Sequence, residues 1–305
     1  MEQPPVQIHD VALTGGGYDF RVRVYPADRP TGGLLVWLHG GGFMFGTLDM
    51  PEADQVGRRL SAQGTTVVSV DYVLAPLDAL ASLPPAPTEA GMPSPEQLAA
   101  EAAAAGPRAR YPVASLQTVA AFDWAVQNAA RFGAVADRVA IGGASAGGNL
   151  SAGAAMRLRD RAAEHSDAGV PSVVALVYPV VHAVLPPAGE ELEGLLAGLP
   201  AALTFPPEAT QALNTNYLGG APADRYAFPG GHDLAGYPRT LIVTADRDRL
   251  RTSGEAFAAE LASAGVDVCI ERQCGATHGY LNEVGDPAAE RTLTLLAAAV
   301  DQDGC

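Results

Sequence analysis

The sequence predicts an α/β fold, a mostly parallel central sheet with helices on both faces. Three observations lead there. Runs such as Leu34-Leu-Val-Trp-Leu38 and Thr65-Thr-Val-Val-Ser-Val70 show no polar alternation, which fits strands covered on both sides. Further along, strand-like runs alternate with stretches of helical character, the alternation that builds parallel sheets from crossover units. The run Arg138-Val-Ala-Ile141 then passes directly into Gly142-Gly-Ala-Ser-Ala-Gly-Gly-Asn-Leu150, a strand, a tight turn and the start of an Ala-rich helix.

In chain order, Tyr18-Asp-Phe-Arg-Val-Arg-Val24 alternates charge and bulk and reads as a half-exposed antiparallel strand. The continuous runs at 34–38 and 65–70 follow as buried strands. Residues 116–132 read as a helix with Val119, Phe122 and Val126 on one face and Gly133 as its stop. Next come a strand at 138–142, a helix after Ser145 and the strand Val173-Val-Ala-Leu-Val-Tyr178. A strand at 240–244, a helix near 254–264, a strand at 266–270 and a final helix after Asp286-Pro287 complete the set. Two stretches break the rhythm. Residues 77–110 are an Ala/Pro-rich insertion with one helix expected at 95–105, and residues 183–216 lack a strand–helix alternation. Both are read as lid or cap insertions in a single α/β domain spanning 1–305, because loops this long in a compact domain are usually lids or mobile excursions.

Composition narrows the function classes. With 305 residues, 48% hydrophobic and 17% charged, the chain is long enough for a large core. A net charge of −15 argues against nucleic acid and anionic membrane surfaces, both of which select basic proteins. Lysine is absent, so all 19 basic residues are arginine. Cys269, Cys274 and Cys305 have no metal-ligand spacing and make no disulfide framework, which fits a reducing compartment. The N-terminal MEQPPVQIHD lacks the basic and apolar regions of a signal peptide, and no apolar run approaches the ~20 residues of a membrane span. A cytoplasmic protein without a membrane partner is expected; no sequence signal speaks to an oligomeric state.

The glycine-rich turn has two possible uses, cradling a phosphate or holding one serine upright as a nucleophile. A dinucleotide fingerprint needs glycines at i, i+2 and i+5, and here the i+2 position is Ala144 or Ser145 depending on register. A P-loop needs a lysine, which the chain lacks. Gly143-Ala-Ser145-Ala-Gly147 instead matches G-x-S-x-G, in which small neighbours let a sharp strand-to-helix turn hold a strained, exposed serine. Independent support comes from His39-Gly-Gly-Gly42 at the end of the 34–38 run, because bare glycine N–H groups can point at a developing oxyanion. In this arrangement the acid follows the serine and the histidine follows the acid. Of His165, His182, His232 and His278, only His278, in Gly275-Ala-Thr-His-Gly279, lies beyond the acid candidates at the end of the 240–244 strand. Those candidates are Asp246 and Asp248, and spacing alone does not choose between them.

With these residues assembled, the chain resembles the hormone-sensitive-lipase-like family of bacterial esterases, within the α/β-hydrolase superfamily. The pieces are HGGGF (39–43), DYVLAP (71–76), YPVASL (111–116), GGASAGGNL (142–150), LVYP (176–179), TADRDRLR (244–251), AGV (264–266) and GATHGY (275–280). The resemblance runs from about residue 18 to residue 300, with gaps. The family's D-P-L-R pattern falls on Asp248-Arg-Leu-Arg251, which favours Asp248 over Asp246. The resemblance implies Ser145 as nucleophile, His278 as base and Asp248 as its orienter, with the backbone N–H groups of Gly41, Gly42 and Ala146 as oxyanion hole. There are departures. Ala144 replaces the usual Asp or Thr before the nucleophile, and Thr252-Ser253 replaces the usual Asp-Glu. Little chain precedes HGGG to form the family's N-terminal helical cap, and the insertion at 77–110 has no counterpart.

The expected reaction is hydrolysis of a small carboxylic ester, of short- to medium-chain acyl or natural-product type, through an acyl-enzyme and without metal or organic cofactor. Phe43, Phe45, Tyr217 and Tyr280 are candidate pocket walls. An amidase or transacylase on the same triad, or a non-catalytic ligand-binding protein on the same fold, are the alternatives.

Overall fold

Residues 7–84, 106–165 and 168–301 are described by the computed structural model. The strands are β1 (His9–Gly15), β2 (Tyr18–Tyr25), β3 (Leu34–Leu38), β4 (Thr66–Asp71), β5 (Val139–Ala144), β6 (Val174–Val177), β7 (Thr240–Arg247) and β8 (Val268–Thr277). They form one sheet in the order β1-β2-β4-β3-β5-β6-β7-β8. β1 and β2 pair antiparallel with each other, and β2 pairs antiparallel with β4; every later pairing is parallel.

The helices are α1 (Pro51–Ala62), α2 (Val113–Asn128), α3 (Ala146–Glu164), α4 (Glu190–Leu196), α5 (Ala201–Thr204), α6 (Pro207–Leu218), α7 (Arg251–Ser263) and α8 (Pro287–Asp301). Side-chain alternation along the strands sorts the core into two layers. Leu34, Val36, Leu38, Ile141 and Leu176 pack with Phe122 of α2, Leu150 and Met156 of α3 and Phe257 of α7. Leu35, Trp37, Ala140 and Val243 face the other way, onto Val56 and Leu60 of α1 and Leu293 and Leu296 of α8. Each fully buried Val or Leu here is worth about 1.5–3 kcal/mol. That is why strands covered on both faces read as unbroken apolar runs.

Several elements depart from the expected set. β1 and α1 were not anticipated. β1 is a half-exposed edge strand, and the buried face of α1 mixes Glu52 and Gln55 with Ala53, Val56, Gly57 and Leu60, which blurs its apolar periodicity. β8 is displaced toward the C-terminus of the expected 266–270 and runs on to Thr277, because its outer half is exposed and polar and leaves no apolar signature. The helix expected at 116–132 divides into α2 and a tighter turn, Ala129–Phe132, that ends on Gly133 at φ 68°. Residues 183–216 are not a plain loop, since α4, α5 and most of α6 fall there. Of the 77–110 insertion, residues 85–105 lie outside the described residues, and so does the helix expected at 95–105. Among the described residues no helix is long and apolar enough to cross a membrane.

Candidate active site

The parallel pairings from β3 across to β8 bring the motif residues together at the carboxyl ends of the strands, where open α/β sheets place their ligands. Leu38 pairs with Gly143, so the HGGG loop leaving β3 and the turn leaving β5 emerge side by side. Ala144 pairs with Val177, which sets Tyr178 beside Ser145. The β7–β8 ladder slips register after Ala245 and resumes at Arg247–Thr277, and the next residues on the two strands are Asp248 and His278.

The glycines are there because backbone approaches backbone. A Cβ on Gly143 would lie 2.5 Å from the Gly147 carbonyl carbon and 2.7 Å from the Leu38 oxygen. One on Gly147 would overlap the carbonyl oxygens of Leu38 and His39. The turn therefore packs directly on the end of β3, and Ser145, at φ 54° and ψ −117°, is forced upright at the N-terminus of α3. Its own N–H donates to the Val177 carbonyl at 2.9 Å. Four non-glycine residues among those described have positive φ: Phe43, Ser145, Tyr178 and Phe205. All four stand at this site, and such conformations cost about 1–3 kcal/mol each.

Ser145 Oγ lies 3.0 Å from His278 Nε2, and His278 Nδ1 lies 2.7 Å from Asp248 Oδ2. A carboxylate only accepts, so Nδ1 carries the proton, and Nε2 is left to accept from the serine hydroxyl. Asp248 is 0% exposed, and its other oxygen accepts from the Leu250 N–H at 2.9 Å. Asp246 is engaged elsewhere. Its Oδ2 accepts from the Gly275 N–H at 3.0 Å, and Oδ1 lies 3.4 Å from Arg251, so it braces the loop that carries His278. Geometry thus separates the two carboxylates that spacing could not.

Gly41 and Gly42 adopt φ 110° and 59° beside this group. Among the described residues, the N–H groups of Gly41, Gly42 and Ala146 donate to no protein acceptor, and Ala146 opens a helix whose first N–H groups have no partner within it. His39 lies behind the loop. Its Nδ1–H donates to the Gly40 carbonyl at 2.7 Å, and its ring stacks on Tyr72 at 4.5 Å. Burial pushes its pKa below the usual histidine range and keeps the ring neutral.

The expected pocket walls need correction. Phe43 and Tyr217 are buried and stacked on each other with centroids 4.1 Å apart, which makes them core below the loop. Tyr280 is buried in the core on the other side of the sheet, its hydroxyl 2.7 Å from Thr292 Oγ1. Only Phe45 of the four stays partly exposed. The rings that touch His278 are ones the sequence did not single out, Phe205 at 4.3 Å and Tyr178 at 4.7 Å. Leu213 of α6 faces Gly42, where an added Cβ would meet its side chain at 3.2 Å. Phe205 and Leu213 both come from the 183–216 stretch, which carries no motif; only the fold brings it over the site.

Comparison with known proteins bears on the family and the fold. A family model described as "alpha/beta hydrolase fold" matches residues 35–90 and 104–282, and the break between them falls inside the Ala/Pro-rich insertion. The chain is 32% identical over 291 residues to carboxylesterase NlhH of Mycobacterium tuberculosis, covering 92% of this chain and 77% of that one. It is 27% identical over 304 residues to an arylesterase of Saccharolobus solfataricus, covering 99% and 85%. An esterase structure from Pyrobaculum calidifontis superposes with a TM-score of 0.76 at 28% identity, covering 98% of this chain and 86% of that one.

Proposed function

Because the chain belongs to the α/β-hydrolase fold family, in its hormone-sensitive-lipase-like branch, we propose that it is a carboxylesterase acting on small carboxylic esters with Ser145 as nucleophile. The observation that carries this reading is the continuous relay Ser145–His278–Asp248, at 3.0 and 2.7 Å, under a strained serine beside free loop N–H groups.

The chemistry follows from those contacts. His278 Nε2 takes the serine proton as Oγ attacks the ester carbonyl, and Asp248 stabilises the imidazolium and holds its tautomer. The carbonyl oxygen becomes an oxyanion received by the N–H groups of Gly41, Gly42 and Ala146; each such donor is worth about 10²–10³ in turnover. The imidazolium returns its proton to the departing alkoxide, which leaves as the alcohol, and an acyl-serine remains. Water then enters, His278 acts as base again, and the acid is released. The stretch 183–216 acts as the cap over the alcohol side, since Phe205 lies against the imidazole that protonates the leaving group.

Hydrolysis of p-nitrophenyl esters from acetyl to dodecanoyl tests the reading. Turnover should be fastest on the shorter chains. Ser145→Ala should fold normally and lose it entirely. Turnover retained by the folded variant would refute the assignment.

A further inference from the structure

Glu52 belongs to none of the motifs and takes no part in the relay, yet its carboxyl is buried, at 2% exposure, among the site's supporting loops. Among the described residues it forms no ion pair. A carboxyl placed so deeply without a cation is costly unless neutral donors satisfy it. Three do. Its Oε1 accepts from the Gly40 N–H. Its Oε2 accepts from the Tyr178 hydroxyl at 2.8 Å and from Asn282 Nδ2 at 3.3 Å. A Cβ on Gly40 would come within 2.7 Å of Oε1, so a side chain there would have to displace the Glu52 carboxyl.

These partners lie on three segments that must keep register for the relay to work. Gly40 precedes the two glycines whose N–H groups are free. Tyr178 leaves β6 and packs its ring on His278. Asn282 lies just past His278 and also accepts from the Glu52 N–H at 3.2 Å. Peptide planarity shows what the Gly40 contact does. The 39–40 peptide is held at both ends, its N–H by Glu52 and its carbonyl by the Tyr72 hydroxyl at 2.9 Å. The next peptide is held through its carbonyl by His39, and its N–H is that of Gly41. Fixing the first plane limits the second to the two torsions of Gly40, and so limits where the Gly41 N–H points.

We propose that Glu52 is a positioning residue that aims the Gly41 N–H at the developing oxyanion and, through Tyr178 and Asn282, locks the His278 loop to the same frame. This rests on the hydrolase reading above. Since the donors act on the transition state, losing their alignment should lower kcat and leave KM little changed.

The test is the rate at which a fluorophosphonate labels Ser145, followed by mass spectrometry, with kcat and KM on p-nitrophenyl acetate, in wild type, Glu52→Gln, Glu52→Ala and Tyr178→Phe. Glu52→Gln keeps the volume and one acceptor. Labelling should reach one per chain in every variant. Its rate, and kcat, should fall about 10–10²-fold in Glu52→Ala, somewhat below the full loss of a donor, and by less in the other two, with KM within about threefold. Rates within twofold of wild type in both Glu52 variants would overturn the proposal. So would labelling that stops short of one per chain in Glu52→Gln, which would reduce the residue to a folding role. If wild type labels fully but hydrolyses no ester, the ester reading fails, and the relative labelling rates still decide the role of Glu52.

Discussion

Asp246 and Asp248 are two residues apart, and their hydrogen bonds divide the work between them. Asp248 holds the imidazole, and Asp246 ties Gly275 and Arg251. Asp248→Asn offers an amide that cannot impose the needed tautomer, and kcat should fall about 10⁴-fold. Asp246→Asn keeps one acceptor and should cost at most about tenfold, the scale of one neutral hydrogen bond. Steady-state kinetics on a single ester will rank the two, and the reverse order would refute the assignment. Ser145 and His278 were legible in sequence because a turn motif and a chain-order rule each isolate one residue. Asp248 was favoured only through the resemblance to a family pattern. Glu52 and Phe205 were not legible, since neither lies in a pattern and only folding brings them to the catalytic group.

Elements were readable in proportion to how much apolar surface they bury. β3 and β5, buried throughout, were expected nearly where they lie. β1, with no buried residue, and β8, with one, were missed or displaced. The helices within 183–216 escaped for a different reason. α4 and α5 are short, and α6 has Pro207 in its first turn and Gly219 as its cap at φ 62°, signals that also read as loop punctuation. In the proposed reading these helices form the cap that the substrate meets. Phe205, joining α5 to α6, covers the imidazole, so Phe205→Ala should raise KM for p-nitrophenyl butanoate about two- to tenfold, the value of one aromatic contact, with a smaller change in kcat. An unchanged KM would place the ring outside the substrate's path.

Across the whole molecule, the neutral His39 under the oxyanion loop links activity to pH through stability. Its folded pKa lies below the ordinary 6.5 because burial disfavours the charged ring, although Glu52 and Asp71 pull the other way. Above pH 6.5 neither state holds the extra proton, and the fold keeps its full stability. Below it the unfolded chain takes up a proton that the native state refuses. Stability then falls by up to about 1.4 kcal/mol per pH unit until the folded pKa is reached. Urea midpoints at pH 7.5 and 5.5 should show this drop in wild type and a smaller one in His39→Asn; equal drops would exclude His39 as the source.

The candidate site is also assembled from points spread along the chain, with the HGGG loop leaving β3, Ser145 following β5, Asp248 following β7 and His278 following β8. The strand pairings that bring them together are all parallel and long-range, the kind that forms late because loop closure must come first. A growing or half-folded chain can hold much of its helix content and still lack the assembled Ser145–His278–Asp248 group, so ester turnover is expected only from the completed sheet. Recovered turnover after denaturation would therefore count finished molecules, where circular dichroism counts finished helices.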